Sequence, residues 1–175
     1  MKTYKLHLIR HGLTQGNTEG IYVGGGLDMP LSDEGRSQLE EMARRYSYPA
    51  VGIVFSSPMQ RALQSAEILY PYMVEKLVLE ELRECRFGEF EGRPVTELMQ
   101  NEDFRKWLDP QSGFVPKGGE SGREFAERTT RGLFMMLNHQ AKLGITEAAC
   151  VTHGGVIMSM LGQKALPQKP PSDWL

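Results

Sequence analysis

The stretch that decides the fold is Leu6–Asn17, LHLIRHGLTQGN. Its first half alternates as a β-strand does, with Leu6 and Leu8 on one face and His7 and Ile9 on the other. The strand then runs into a loop of polar and glycine residues: Arg10, His11, Gly12, Thr14, Gly16 and Asn17. Arginine offers a planar fork of N–H donors, histidine can act as a nucleophile or a base, and glycine lets a ligand approach the backbone. The stretch is therefore typical of an anion-binding site at the end of a strand.

The composition of the chain indicates one globular unit that acts on a small molecule. With 175 residues, of which 40% are hydrophobic, the chain is long enough for one well-buried domain spanning residues 1–175 and too short for two. The formal net charge is −2, and no segment concentrates lysine and arginine. A nucleic-acid partner and an anionic membrane surface therefore have no electrostatic support, and the expected partner is a small molecule.

Cysteine usage and hydropathy predict a cytoplasmic protein. Cys85 and Cys150 are the two cysteines of the chain, too few for a disulfide scaffold. The N-terminal residues lack the pattern of a signal peptide, and no segment approaches the roughly 18 consecutive apolar residues of a membrane span. We therefore expect no membrane partner.

The order of predicted elements is that of an α/β protein. Strands are predicted at about Lys5–Ile9, Val51–Phe55, Leu77–Leu79 and Ala148–Thr152. Helices are predicted over Ser32–Tyr46, from a cap at Ser57-Pro58 to about Tyr70, over Pro94–Gln100 and Phe104–Leu108, from a capping box at Ser121 and Glu124, and from after His153 to about Leu161. Such alternation predicts a mostly parallel central sheet with helices on both faces, a three-layer α/β/α sandwich.

Several chemically suited side chains follow the predicted strands. Arg10-His11 and His153 each come at the end of a strand, and Arg61 comes just beyond another. Ligands of parallel sheets bind at the carboxyl ends of strands, so we expect one shared site. Each side chain alone has an ordinary structural explanation. Their joint occurrence, with a loop that carries the carboxyl of Glu84, favours a functional site.

These residues have the chemistry that phosphoryl transfer needs. A phosphate dianion requires cations and N–H donors. Candidates for this role are Arg10, Arg61, His153 and the backbone near Gly12. A neutral His11 offers a lone pair for attack, and Glu84 can protonate the leaving oxygen if burial or a neighbouring dianion raises its pKa. The arrangement requires no metal and no cofactor.

Five motifs in order give the chain a resemblance to a known family. They are Arg10-His11-Gly12 with Thr14 and Asn17, Ser56-Ser57-Pro58 with Arg61-Ala62, Leu82–Gly92, Gly118-Gly119-Glu120-Ser121, and Thr152-His153-Gly154-Gly155. On these motifs the chain resembles the histidine phosphatase superfamily, also called phosphoglycerate mutase-like. The resemblance implies the phosphoglycerate mutase-like fold and transient phosphorylation of His11.

The resemblance also implies roles for the remaining residues. Arg10, Arg61 and His153 would form the phosphate pocket, with His153 cationic and its pKa above that of a free imidazole. Glu84 would be the proton donor. The residues implied to bind substrate are Gly12, Thr14, Asn17, Gly24 and Gly154.

Within the family the chain resembles phosphatases more than mutases. The segment between Gly92 and Gly118 is short and carries few basic residues. A chain that resembled the family's mutases would be longer and would carry an insertion with basic residues there. Leu82–Gly92 resembles the corresponding stretch of bacterial α-ribazole phosphatases, so α-ribazole 5′-phosphate is the leading substrate. The alternatives are a phosphoglycerate mutase-type phosphotransferase, a protein-phosphohistidine phosphatase, or a non-catalytic binding module, which we would expect to lack His11 or His153.

The end of the chain departs from the family pattern. The sequence stops at Leu175, where the family continues into one more strand. A C-terminal strand is therefore expected to be missing from the sheet, and the open edge allows a homodimer.

Overall fold

The computed structural model describes residues 2–72, 75–109, 111–170 and 173. Within these residues, four strands form one sheet in the spatial order β1–β4–β2–β3, and every neighbouring pair is parallel. The strands are β1 Lys5–Arg10, β2 Ile53–Ser56, β3 Lys76–Val78 and β4 Glu147–Thr152. The predicted parallel sheet is confirmed.

Seven helices connect or flank the strands in the described part of the chain. They are α1 Gln15–Thr18, α2 Asp33–Arg45, α3 Gln60–Leu69, α4 Val95–Leu98, α5 Glu102–Leu108, α6 Gly122–Leu143 and α7 Gly154–Lys164. Short 3₁₀ turns cover Glu80–Leu82 and Gly88–Phe90. None of these helices is long and apolar enough to cross a membrane.

Two apolar cores, one on each face of the sheet, explain the layers. On one face Leu39 of α2 and Ala66 of α3 pack with Val54 of the sheet. On the other face Met136 of α6 and Met160 of α7 pack with the opposite side of β2 and β4. Both central strands are therefore buried on both faces, which accounts for their continuous apolar runs. The three-layer α/β/α sandwich is confirmed.

One predicted helix start is wrong. We expected Ser57 to cap α3, yet the helix begins at Gln60 after Met59, and Met59 makes no side-chain cap hydrogen bond. The reason is that the chain still pairs with β4 just after β2 ends: the Ser57 N–H donates to the Val151 carbonyl at 3.0 Å. The Ser57 hydroxyl accepts from the Met59 N–H at 3.3 Å and from His153 at 2.8 Å, so it does not cap the first turn of α3. The capping box of Ser121 and Glu124 at the start of α6 is confirmed.

A third apolar cluster supports the connections beyond the carboxyl edge of the sheet. Its buried members are Phe90, Leu98 and Phe104. The partly buried residues Tyr22 and Phe87 pack against them, with their rings stacked at a centroid distance of 4.3 Å. This cluster stabilises the loops that contain these residues. Side-chain packing is needed there, because few backbone groups of these loops pair with a strand.

Candidate active site

The ends of three strands bring two histidines and a serine together. The N–H of His11, just after β1, donates to the Thr152 carbonyl at 2.9 Å, which continues the pairing with β4. His153 follows β4 directly, and Ser57 follows β2. The rings of His11 and His153 meet edge to face with centroids 5.1 Å apart. The predicted convergence at the carboxyl edge of the sheet is therefore present in the structure.

His11 is held as a neutral ring with one nitrogen free. Its Nδ1 lies 2.6 Å from the carbonyl oxygen of Gly12, and only an N–H can donate to that oxygen. Burial lowers the pKa of His11 from 6.5 to about 4; the bond to Gly12 raises it, and the charges of Arg61 and Arg10 lower it further. At neutral pH the proton therefore stays on Nδ1, and Nε2 carries the lone pair that a nucleophile needs.

His153 is fully buried, and both of its ring nitrogens have partners. Arg61 donates from Nε to Nδ1 at 3.3 Å, so Nε2 carries the proton and donates to the hydroxyl of Ser57 at 2.8 Å. Burial lowers the pKa of His153 far below its ordinary value, and the charge of Arg61 acts in the same direction. The expected cationic His153 with a raised pKa is therefore wrong for this structure.

Arg61 links the site to the loop before α2. Its side chain is only 1% exposed. Besides Nε, which donates to His153, Nη1 donates to the Leu27 carbonyl at 2.9 Å and Nη2 to the Gly24 carbonyl at 3.2 Å. Burial lowers the pKa of Arg61, while the nearby carboxylates of Glu84 and Asp28 raise it. These contacts explain how a guanidinium can be buried at the floor of the site.

Glu84 is a buried carboxyl group with two backbone N–H partners. Cys85 N–H donates to Oε1 at 2.9 Å, and Gly155 N–H donates to Oε2 at 3.2 Å. Burial raises the pKa of Glu84 above its ordinary value; the two hydrogen bonds and the charge of Arg61 oppose that shift without cancelling it. A carboxyl with a raised pKa holds its proton longer, as a proton donor requires.

The site opens into a cavity of about 320 Å³. The predicted site residues that line it are Arg10, His11, Thr14, Asn17, Arg61, Glu84 and Gly154. The Oδ1 atom of Asn17 accepts from the N–H and the hydroxyl of Thr14, at 3.1 and 3.0 Å, which leaves the amide NH₂ of Asn17 as its remaining donor group. The lining of the cavity thus combines two cations, an amide and the two reactive side chains, His11 and Glu84.

Three predicted site residues lie outside this lining set. His153 is fully buried and accepts a hydrogen bond from Arg61, as described above. Gly12 donates its N–H to the Ser65 hydroxyl at 3.0 Å and accepts from His11, so both of its backbone polar groups are used within the protein. The Gly24 carbonyl accepts from Arg61, and a Cβ atom at Gly24 would lie 2.6 Å from the Cys85 carbonyl. Both glycines therefore act in close packing around the site.

The sequence pattern did not assign the apolar wall of the cavity or one backbone donor to the site. These lining residues are Ile21, Tyr22, Val23, Phe87, Met158 and Gly155. They come from three separate segments and follow no strand or helix period, so no pattern could group them. The nearest signal is the position of Phe87, three residues after Glu84 in the charged loop.

Together these features define a class: an α/β protein that carries two arginines, a neutral histidine and a buried carboxyl group in one cavity at the carboxyl edge of a parallel sheet. The family model of the histidine phosphatase superfamily (branch 1) matches residues 6–174. The chain therefore belongs to this superfamily.

Two of the curated relatives illustrate the similarity, and both are phosphatases by name. The adenosylcobalamin/alpha-ribazole phosphatase of Escherichia coli K12 is 28% identical over 162 residues, which cover 91% of this chain and 78% of that protein. The fructose-2,6-bisphosphatase TIGAR B of Danio rerio is 38% identical over 128 residues, covering 69% of this chain and 48% of that protein. The match thus spans about half of the zebrafish relative and most of the bacterial one.

Solved structures share the fold. The crystal structure of a putative alpha-ribazole-5′-P phosphatase from Escherichia coli K-12 superimposes with a TM-score of 0.82 at 26% identity, covering 98% of this chain and 83% of that one. The phosphoglycerate mutase-like, mostly parallel α/β fold predicted from the motifs is confirmed.

Proposed function

We propose that this chain is a phosphomonoesterase that hydrolyses a small-molecule phosphate ester through a phosphohistidine formed on Nε2 of His11. The observation that carries the proposal is the state of His11. Its Nδ1–H is fixed to the Gly12 carbonyl, so Nε2 keeps its lone pair and the ring keeps one orientation. The family membership supports the same chemistry.

In the first step His11 attacks the phosphorus atom. A bond forms from Nε2 to phosphorus while the bond from phosphorus to the ester oxygen breaks. Arg10 and Arg61 lie where they can neutralise the oxygens of the transferring group, and the Asn17 amide adds a donor. The protonated Glu84 gives its proton to the departing oxygen, so the alcohol leaves neutral.

In the second step water replaces the enzyme on phosphorus. Glu84, now a carboxylate, accepts a proton from the attacking water, and the bond between Nε2 and phosphorus breaks. Inorganic phosphate is released, and both His11 and Glu84 return to their starting forms. The buried His153 holds Arg61 in place through its Nδ1 during both steps.

The cavity supports a substrate with one phosphate and an apolar leaving group. Within the described part of the chain, the cations that line the cavity are Arg10 and Arg61. The apolar part of the lining includes the stacked rings of Tyr22 and Phe87. A second phosphate or a carboxylate would find no further cation in this lining, which disfavours the mutase alternative. The aromatic base of α-ribazole 5′-phosphate would suit this wall.

Two alternatives, a non-catalytic binding module and a protein-phosphohistidine phosphatase, have weaker support. A binding module needs no nucleophile and no proton donor, yet the site pairs a neutral His11 with a Glu84 whose pKa is raised. A protein-phosphohistidine phosphatase would need an approach for a bulky protein surface. The cavity of about 320 Å³ that Tyr22 and Phe87 help to line suits a small molecule instead.

The predicted homodimer and cytoplasmic location remain proposals. The outer edge of β1 has no paired strand among the described residues, so a second copy could associate there. Light scattering would show a monomeric mass if this is wrong. Cys85 and Cys150 are both free and buried, which is compatible with a reducing compartment.

The test is hydrolysis of p-nitrophenyl phosphate in EDTA, with acid-labile phosphate trapped on the protein. We expect the wild type to turn over and to become labelled. We expect His11→Asn to lose labelling and at least about 10³-fold in kcat/KM. His7→Asn is the matched control, because His7 lies on β1, the strand that His11 follows, and bonds to Glu147 instead of the site. Turnover that survives in His11→Asn, or folded wild-type protein that neither turns over nor labels, would refute the proposal.

A substrate panel then tests the leaving-group site. We expect kcat/KM to be higher for α-ribazole 5′-phosphate than for 3-phosphoglycerate or fructose 2,6-bisphosphate. Phe87→Ala should narrow this difference, because Phe87 forms part of the apolar wall. A preference for the doubly charged substrates would contradict the assignment of the wall.

A further inference from the structure

The segment that carries Glu84 is held in place without belonging to the sheet. It follows a 3₁₀ turn and runs extended at Arg83. The Leu82 carbonyl accepts from the Thr152 hydroxyl at 2.8 Å, and the Cys85 carbonyl accepts from the Gly25 N–H at 2.7 Å. The carbonyls of three more residues of the segment accept from the two partners of one largely buried ion pair, two from a side chain and one from a backbone N–H.

Arg128 of α6 is the cationic partner of this pair. Its Nη1 donates to two carbonyls of the segment, those of Glu81 and Arg83, at 2.8 Å each. Its Nε and Nη2 donate to the two carboxylate oxygens of Glu120, at 2.8 and 2.7 Å. One planar guanidinium thus fixes the backbone immediately before Glu84 and is itself oriented by a bidentate carboxylate.

Glu120 holds the other side of the segment. Its backbone N–H donates to the Arg86 carbonyl at 2.8 Å, two residues after Glu84. The side chains of Glu120 and Arg128 are 8% and 17% exposed, so water screens their interaction much less than that of a surface pair. The two residues therefore hold the segment on both sides of Glu84, Arg128 through its side chain and Glu120 through its backbone.

We propose that Arg128 and Glu120 are positioning residues for the proton donor Glu84. The inference rests on the proposed function, in which Glu84 protonates the leaving oxygen. A general acid acts only within about 2.6–3.2 Å of its target atom, so the backbone that carries it must be held closely. His11 is held by different elements, β1 and the Gly12 carbonyl. Loosening the pair should therefore impair proton donation while leaving nucleophilic attack nearly intact.

The experiment compares two substrates that differ in their need for an acid. An alkyl phosphate leaves as a strongly basic alkoxide and depends on protonation, whereas p-nitrophenolate leaves readily without it. For both, kcat/KM reports the step in which His11 attacks and the leaving group departs. The variants are Arg128→Lys, which keeps the charge but not the planar fork, and Glu120→Gln, which keeps the shape but not the charge.

We expect each variant to lose about 30- to 100-fold in kcat/KM for the alkyl phosphate and less than about 3-fold for p-nitrophenyl phosphate. Arg123→Lys is the matched control, since Arg123 lies on the same helix and pairs with Glu127 at 2.9 Å on the surface. In a Glu84→Gln background the Arg128→Lys change should add no further loss, because the group that it positions is already gone.

The outcomes separate this inference from the proposed function. Equal losses for both substrates, or full additivity with Glu84→Gln, would show a general structural role and overturn the proposal. Failure of both variants to fold, by circular dichroism, would do the same. Phosphoenzyme formation by the wild type from p-nitrophenyl phosphate tests the proposed function independently, because it needs His11 and not the pair.

Discussion

Replacing Gly155 with alanine would place a methyl group directly against the proposed proton donor. Gly155 lies in the first turn of α7, and its N–H donates to Glu84 Oε2 at 3.2 Å. A Cβ atom there would lie 2.5 Å from Oε1, 3.2 Å from Cδ and 3.3 Å from Oε2 of Glu84. These three nearest atoms all belong to the carboxyl group of Glu84, so the change acts first on that group.

The size of the effect follows from these distances. Ordinary van der Waals contacts begin at about 3.5 Å, so Oε1 would have to move by about 1 Å. A displacement of about 1 Å can cost about 10²-fold in rate, or about 2.7 kcal/mol of transition-state stabilisation. The weakened hydrogen bond from Gly155 would destabilise the fold by about 1–3 kcal/mol, and the better helix propensity of alanine would offset up to about 1 kcal/mol.

The assay measures kcat/KM for an alkyl phosphate, and the melting temperature is measured in parallel as a control for folding. We expect Gly155→Ala to remain folded and to lose about 10²-fold, with a smaller loss for p-nitrophenyl phosphate. Gly122→Ala is the control: it also lies at the start of a helix, and nothing stands within 4 Å of the added Cβ. A folded Gly155→Ala protein whose kcat/KM for the alkyl phosphate stays within about 3-fold of the wild type would refute the assignment of Glu84 as the proton donor.

Two further predictions concern the histidines. Ser57→Ala should leave the buried Nε2–H of His153 without its acceptor and lower the free energy of unfolding by about 1–3 kcal/mol in urea titrations, whereas the exposed Ser47→Ala should leave it unchanged. The folded pKa of His11, about 4, lies below its unfolded value of 6.5, so the unfolded state binds more protons and stability falls as pH drops below 6.5. The raised pKa of Glu84 acts in the opposite direction, because its contribution to stability is lost as pH rises above 4.5. From pH 7.5 to 5.5 the wild type should therefore lose about 1 kcal/mol more than His11→Asn, and equal losses would contradict the buried neutral ring.

Local pattern was enough to predict the strands and the layers. Val54 and Phe55 belong to a continuous apolar run because β2 is buried on both faces, and burial on both faces requires helices on both sides. The start of α3 could not be predicted in the same way. Ser57 has the side chain of a helix cap, but its N–H pairs with Val151, a residue distant in sequence, and no local pattern encodes that pairing.

The sequence by itself determined which reactive side chains meet. His11 and His153 follow strands directly, and the carboxyl ends of parallel strands lie at one edge of the sheet. Only the tertiary structure decided their charge states and their surroundings. Burial and the neighbouring Arg61 lower the pKa of His153, and residues from separate loops form the apolar wall of the cavity. The physical reason is that desolvation and Coulomb energies depend on distances between residues far apart in the chain, which no local pattern encodes.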